Sequence, residues 1–311
     1  MHEFLCRGAR VRIHPDGHIE VLDEPAVSYC PFVEAFYRIK KIDREAIERI
    51  VRLKIEKFGF CCPHRRLDMG LLVPFGSSEI ISVCMEEGLL DCAVVVCEGA
   101  GTVIAWEPGL VQGIGAIMSG ILRTSPIKAV IERIRQKGGL PLDPGRAVID
   151  QPSGVEKAIS MGFRKIAVTV IGPMAEDISA IRDLEARHEG VKVAVFSTCN
   201  TLVRPEDIKH LEKADVVCSS ASRLIRERIG PRALMQLGVS IPVFILTELG
   251  KKLALTYLMK TKARFVAFRT RMPYIVEEKQ PELARWKARR WWTGRDLNPG
   301  PPRCQRGDLP G

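Results

Sequence analysis

Two short stretches of this chain concentrate groups that can do chemistry, and each follows a run of apolar residues. The first is Cys97-Glu98-Gly99-Ala100-Gly101-Thr102. Its glycines allow a tight turn and close approach of backbone to a ligand. It is not a dinucleotide fingerprint, because Ile104 stands at the third glycine position of G-x-G-x-x-G. No G-x-x-x-x-G-K-S/T loop occurs either. A phosphate-binding turn and a plain tight turn are its two readings. The second stretch is Cys218-Ser219-Ser220-Ala221-Ser222-Arg223, with a thiol, three hydroxyls and an arginine at an expected helix start. Free N–H groups there favour anions and lower a thiol pKa. Cys97 and Cys218 are therefore candidate nucleophiles. Gly99, Gly101, Thr102, Ser219, Ser220, Ser222 and Arg223 are candidate contacts for a small anionic ligand. The plainer alternative for the second stretch is that Ser219 or Ser220 caps the helix while Arg223 faces solvent.

Weaker candidates lie elsewhere. Thr198-Cys199-Asn200-Thr201 also follows an apolar run. Asp150 precedes a helix that Ser153 is expected to cap, and Thr247-Glu248 reads as N-cap and first-turn acid. The ten cysteines are read as reduced thiols, metal ligands or catalytic groups. Cys84 and Cys92 sit in apolar surroundings as small hydrophobes, and Cys6 and Cys304, near the ends, are expected to be incidental. Cys61-x-x-His64 has metal-ligand spacing without a second pair, and no C-x-x-C occurs. An iron–sulfur cluster held by Cys30, Cys61 and Cys97 from separate loops is the sharper reading. Separate structural or redox thiols are the default.

Such residues need elements to hold them. Residues 9–13 and 18–22 alternate apolar and polar around His14-Pro15-Asp16-Gly17, which reads as a β-hairpin. Asp43 is the expected N-cap of a helix over 44–57 with Ile47, Ile50, Val51 and Ile55 as its apolar stripe. Strands are expected at 92–97, 166–171, 191–196, 215–218 and 242–246. Helices are expected at 155–161, 174–187, 205–212, 221–229 and 248–259. That alternation predicts an α/β fold: a doubly wound, mostly parallel, Rossmann-like sheet with an N-terminal hairpin plus helix. Ligands in such sheets bind beyond the carboxyl ends of the strands. Three segments are expected: 1–75 as an N-terminal α+β part, 76–262 as the core, and 263–311 as a tail. Residues 99–154 are less regular and read as an insertion. The tail holds Trp286, Trp291 and Trp292 and a proline-rich string from Gly294. It reads as translational read-through or as disordered.

At 311 residues and 46% hydrophobic, the chain can build a sizeable core. The net charge of +10 points toward an anionic partner. From residue 280 onward, seven basic residues face three acidic ones, so much of the excess lies in the tail. Elsewhere the signs are mixed, as on solvated faces, so a nucleic-acid partner is not expected. Residues 1–10 lack a basic-then-apolar layout, and no run reaches the roughly 20 apolar residues a membrane helix needs. A cytoplasmic location without membrane contact is the expectation.

Several segments together resemble the archaeal methanogenesis marker protein 8 family. They include Tyr29-Cys30-Pro31, Phe58-Gly59-Phe60-Cys61, Val94 to Val103, Val111-Gln112-Gly113-Ile114-Gly115, Asp150-Gln151, Lys165 to Val170 and Cys218 to Arg223. The resemblance spans roughly residues 5–262. It marks Cys30, Cys61, Cys97, Cys218 and Arg223 as family-type positions, with departures at Cys62 and Cys199-Asn200. It implies an accessory factor, for assembly, activation or redox, linked to methyl-coenzyme M metabolism and to a partner enzyme of methanogenesis. The residues themselves support a different reading: an enzyme holding a small anionic ligand at the sheet mouth, with a cysteine nucleophile.

Overall fold

In this computed structural model the described residues are 1–68, 75–117 and 119–284. The chain opens with β1 (His2–Cys6), β2 (Ala9–Ile13), β3 (Ile19–Val21), β4 (Val27–Tyr29), α1 (Pro31–Tyr37) and α2 (Arg44–Phe58). Next come α3 (Ser77–Glu86), β5 (Cys92–Cys97), β6 (Gly101–Ala105), α4 (Pro108–Gly115), β7 (Gly120–Arg123), α5 (Lys128–Gln136) and β8 (Gly139–Pro141). The remainder holds α6 (Gln151–Ser160), β9 (Lys165–Ile171), α7 (Glu176–Arg187), β10 (Lys192–Thr198), α8 (Ile208–Leu211), β11 (Val216–Cys218) and α9 (Arg223–Arg228). It closes with β12 (Met235–Leu237), β13 (Val243–Ile245), α10 (Glu248–Lys260) and β14 (Glu282–Leu283).

The large sheet has eight strands in the order β12-β13-β11-β10-β9-β5-β6-β8. Its four central strands are parallel. The strands flanking them on each side run antiparallel. The strand–helix alternation suggested a parallel strand at 242–246; β13 runs the other way. The reason is connection length. β5 turns into β6 through three residues and β12 into β13 through five, too short for a crossover. The parallel strands also follow one another in chain order, without the reversal that makes a switch-point crevice in a dinucleotide-binding sheet. Residues of α6, α7 and α8 pack together on one face, as crossovers of one hand require.

Side chains alternate along each central strand, as a pleat demands. In β5, Cys92 and Val94 pack with α6 and α7, while Ala93 and Val95 pack with α3, α4 and α10. Both faces are covered, so the strands read as continuous apolar runs.

The second sheet is small, in the order β3-β2-β1-β7, backed by α1 and α2. The hairpin expected at 9–22 is present as β2 and β3. A tighter one precedes it: β1 and β2 are joined by Arg7-Gly8 alone. Both residues have positive φ, 52° and 81°. That is a type I′ turn, whose twist matches that of the strands it joins. Gly8 is required twice over, since a Cβ there would lie 2.5 Å from that of Ala26.

Residues 99–154 are no insertion. They supply β6 and β8 to the large sheet and β7 to the small one, tying the two together. Asp43 caps α2 as expected, accepting from the Ala46 N–H at 3.0 Å. Asp150 rather than Ser153 caps α6, because that helix starts four residues before the expected 155.

Part of the 263–311 segment, up to residue 284, is built into the structure. β14 pairs with β4, and Gln280 is buried, donating to the Val239 and Val276 carbonyls. Residues from 285 on, with the three tryptophans and Cys304, lie outside the described ones. Among the described residues, no helix is long and apolar enough to cross a membrane.

Candidate functional site

A cavity of about 300 Å³ lies where the small sheet closes over the carboxyl ends of the four parallel strands. That is the low end of the roughly 300–1,000 Å³ typical of small-molecule sites. Its opening starts between β5 and β9. These pair only from Cys92 to Val94, and beyond that point they splay. Gln151, at the start of α6, fills the wedge. Its Nε2 donates to the carbonyls of Val94 (3.2 Å) and Thr169 (2.6 Å), and its Oε1 accepts from Thr102 Oγ1 at 2.7 Å. The splayed backbone is thus satisfied without a ladder.

The floor carries hydroxyls and thiols. Cys199, after β10, and Cys218 and Ser220, after β11, line it. The Asn200 N–H donates to Ser220 Oγ at 3.0 Å and its Nδ2 donates to the Cys218 carbonyl at 2.8 Å, locking the two strand ends together. The roof carries positive charge. Arg7, at the tip of the β1–β2 hairpin, and Lys54, on α2, line it beside Cys6. Arg7 is half-buried and makes no ion pair among the described residues; its guanidinium lies 5.5 Å from the centre of the Phe32 ring. Lys54 is buried and donates to Ser119 Oγ at 2.8 Å.

Backbone strain gathers here. Seven non-glycine residues among the described ones have positive φ. Four of them, Arg7, Phe75, Cys199 and Ser220, line the cavity. Such conformations cost roughly 1–3 kcal/mol each and persist only where the surroundings enforce them.

Burial disfavours the thiolate form at both expected nucleophiles. Burial pushes the Cys218 thiol up, against hydrogen bonds from Ser220 that pull it down. Cys199 is pushed up to about 11, by burial and then by Cys218, with Lys54 and Arg7 opposing. Cys97 is fully buried in the main core, off the cavity, and burial raises it further still. The pKa depression expected at Cys218 fails for a geometric reason. α9 begins at Arg223, five residues downstream, so its N–H groups serve Ser222 instead.

The expected ligand contacts divide in the same way. Gly99 and Gly101 form the β5–β6 hairpin turn and do not line the cavity. The Gly99 N–H donates to Thr124 Oγ1 at 2.7 Å. Thr102 is buried under Asp150 and Gln151. Ser219 is fully buried behind the floor, and Ser222 caps α9. Arg223 faces solvent and pairs with Glu227 at 2.6 Å. Of the seven, only Ser220 lines the cavity.

The expected metal ligands separate too. Cys30 lines the cavity, whereas Cys61 and Cys97 lie behind it beside Glu98. Among the described residues, no group of three or more His, Cys, Asp or Glu side chains could hold a metal ion. The Glu98 carboxylate reaches the cavity wall but is paired with Arg65, a fully buried arginine. Arg65 also donates to the Gly113 (3.1 Å) and Ile114 (3.2 Å) carbonyls at the end of α4, which satisfies its charge within the core.

Arg7 and Lys54 went unread in the sequence, though each left a signal. Arg7-Gly8 separates two runs of apolar character by two residues, the spacing of a tight hairpin. Lys54 falls seven residues after Ile47, on the apolar stripe of its helix, where a lysine is out of place.

A family model described as "Uncharacterized protein conserved in archaea (DUF2099)" matches residues 2–259. Uncharacterized protein MJ0054 of Methanocaldococcus jannaschii is 36% identical over 249 residues, covering 79% of this chain and 86% of that protein. The matched span takes in both basic residues of the roof and all four strand ends of the floor. The chain belongs to this conserved archaeal family.

Proposed function

We propose that the protein binds a small organic anion in the cavity between the two sheets and acts on it there. Arg7 is the observation that carries this reading. A guanidinium without an ion pair among the described residues is held on the wall of a largely apolar cavity, on a residue in strained left-handed conformation. Planar donors of this kind match carboxylate and phosphate oxygens. The test is thermal stabilisation by a panel of small carboxylates and phosphates. Wild type is expected to gain stability with at least one of them. Arg7→Asn, which suits the same turn, is expected to lose that gain. A flat response from both proteins would sink the reading.

A second reading draws on the thiols. Cys6, Cys30, Cys199 and Cys218 all line one cavity. This favours an accessory redox factor, the role in methyl-coenzyme M metabolism that the resemblance to methanogenesis marker protein 8 implies. Treatment with a small disulfide, followed by alkylation of the remaining thiols, is expected to show paired loss among these four. Oxidation spread evenly over exposed and buried cysteines would count against it.

A further inference from the structure

Lys54 is an unusual residue for its place. It continues the apolar face of α2 that Ile47, Ile50 and Val51 begin, and it is buried with them. Lysine is rarely fully buried. Its Nζ reaches the cavity wall, donates to Ser119 Oγ at 2.8 Å, and sits 5.6 Å from the centre of the Phe60 ring. The titratable and charged groups around it come from three places in the fold: Cys6 and Arg7 from the first hairpin, Cys199 from the end of β10, and Glu98 from the end of β5. Burial pulls the ammonium pKa down, and Arg7 pulls in the same direction. Cys6, Cys199 and Glu98 oppose, and burial prevails. A desolvated lysine beside a second cation is the setting in which an amine becomes a nucleophile near neutral pH.

We propose that Lys54 forms an imine with a small oxo acid, whose anionic group Arg7 holds. This rests on the reading of the cavity as an anion site and names its substrate class. The neutral Nζ attacks the carbonyl carbon, and the carbonyl π pair moves to oxygen. That oxygen takes up the two protons that Nζ gives up and leaves as water. A C=N bond replaces the C=O bond, and no oxidant or reductant is needed. Ser119 Oγ, hydrogen-bonded to Nζ, is in place to carry a proton between them. The apolar wall limits water, which would return the imine to amine and carbonyl.

The experiment is reductive trapping on the full chain, with pyruvate and 2-oxoglutarate as probes and cyanoborohydride as reductant. It is read by intact mass and peptide mapping. The expected result is a single adduct on the peptide containing Lys54. Its formation rate should rise with pH through a midpoint below the 10.5 of a free lysine. Lys54→Met should abolish it, and Arg7→Asn should lower it about tenfold at sub-saturating probe, the loss of one charge-assisted contact. Adducts spread over the exposed Lys40 and Lys41, or an undiminished adduct in Lys54→Met, would overturn the proposal. Thermal shift with the same probes separates the two levels. Binding without trapping removes the imine and leaves the anion site standing. No binding and no trapping removes both. Because Lys54→Met could fold poorly, the midpoint of the trapping rate in wild type stands as an independent readout. A midpoint at or above that of exposed lysines also overturns the proposal.

Discussion

The floor and the roof of the cavity are built on opposite terms. On the floor, every polar group discussed is answered by a neighbour: Gln151 by the carbonyls of β5 and β9, Asn200 by Ser220 and Cys218, Glu98 by Arg65. On the roof, Arg7 hangs from a strained two-residue turn with an aromatic ring as neighbour and no ion pair among the described residues. A satisfied polar network holds a scaffold in one arrangement. A charge without an ion pair is available to something else. Disrupting the floor should therefore cost stability, and disrupting the roof should cost binding.

The largest effect is expected from Arg65→Met. It leaves the Glu98 carboxylate buried without its partner, which costs about 3–5 kcal/mol. Urea unfolding would measure it, and a loss under about 1 kcal/mol would contradict the account of the floor.

The seam between floor and roof offers the next. His2, on β1, shares the hydroxyl of Thr124 with the Gly99 turn: its Nδ1 lies 2.7 Å from Thr124 Oγ1. Burial lowers its pKa from 6.5 to about 4, with the nearby N-terminus contributing. Between those values the folded ring is neutral while the unfolded ring binds a proton. Stability is thus intact above pH 6.5 and falls as pH drops toward 4. The shift corresponds to about 3 kcal/mol. His2→Asn should flatten that acid limb in a pH series of unfolding midpoints, and an unchanged limb would place the titration elsewhere.

The smallest stability effects belong to the roof and the outer surface. Arg7→Asn should leave stability within about 0.5 kcal/mol, because relief of left-handed strain offsets the lost cation–π contact. The same variant loses the ligand-induced shift. Arg223→Ala, on the solvent side of α9, should change neither binding nor trapping. A binding loss there would restore the second sequence stretch as a site.

Much of the frame was legible in the residues. Continuous apolar runs marked β5, β9, β10 and β11 within a residue or two, and capping residues marked α2 and α10. Strand direction was less legible. Period-2 alternation says which face a residue occupies and nothing about which way the neighbouring strand runs, so β13 was expected to be parallel. The site was legible only as a region. The carboxyl ends of the parallel strands are where the cavity lies, yet Gly99, Gly101, Thr102 and Arg223 belong to turns and surface.

By itself, the sequence determined what short-range physics determines: strands, helices, their caps, and the buried state of thiols such as Cys84 and Cys92, whose pKa values burial raises to about 12. Only the tertiary structure decided the rest. β7 crosses to the small sheet and brings residues 2–7 and 54 over strand ends that lie from 40 to more than 200 positions away in the chain. No local pattern records such a meeting, because it is made by two sheets sharing one connecting segment. Burial there, and not the residue types alone, pulls the Lys54 ammonium pKa down.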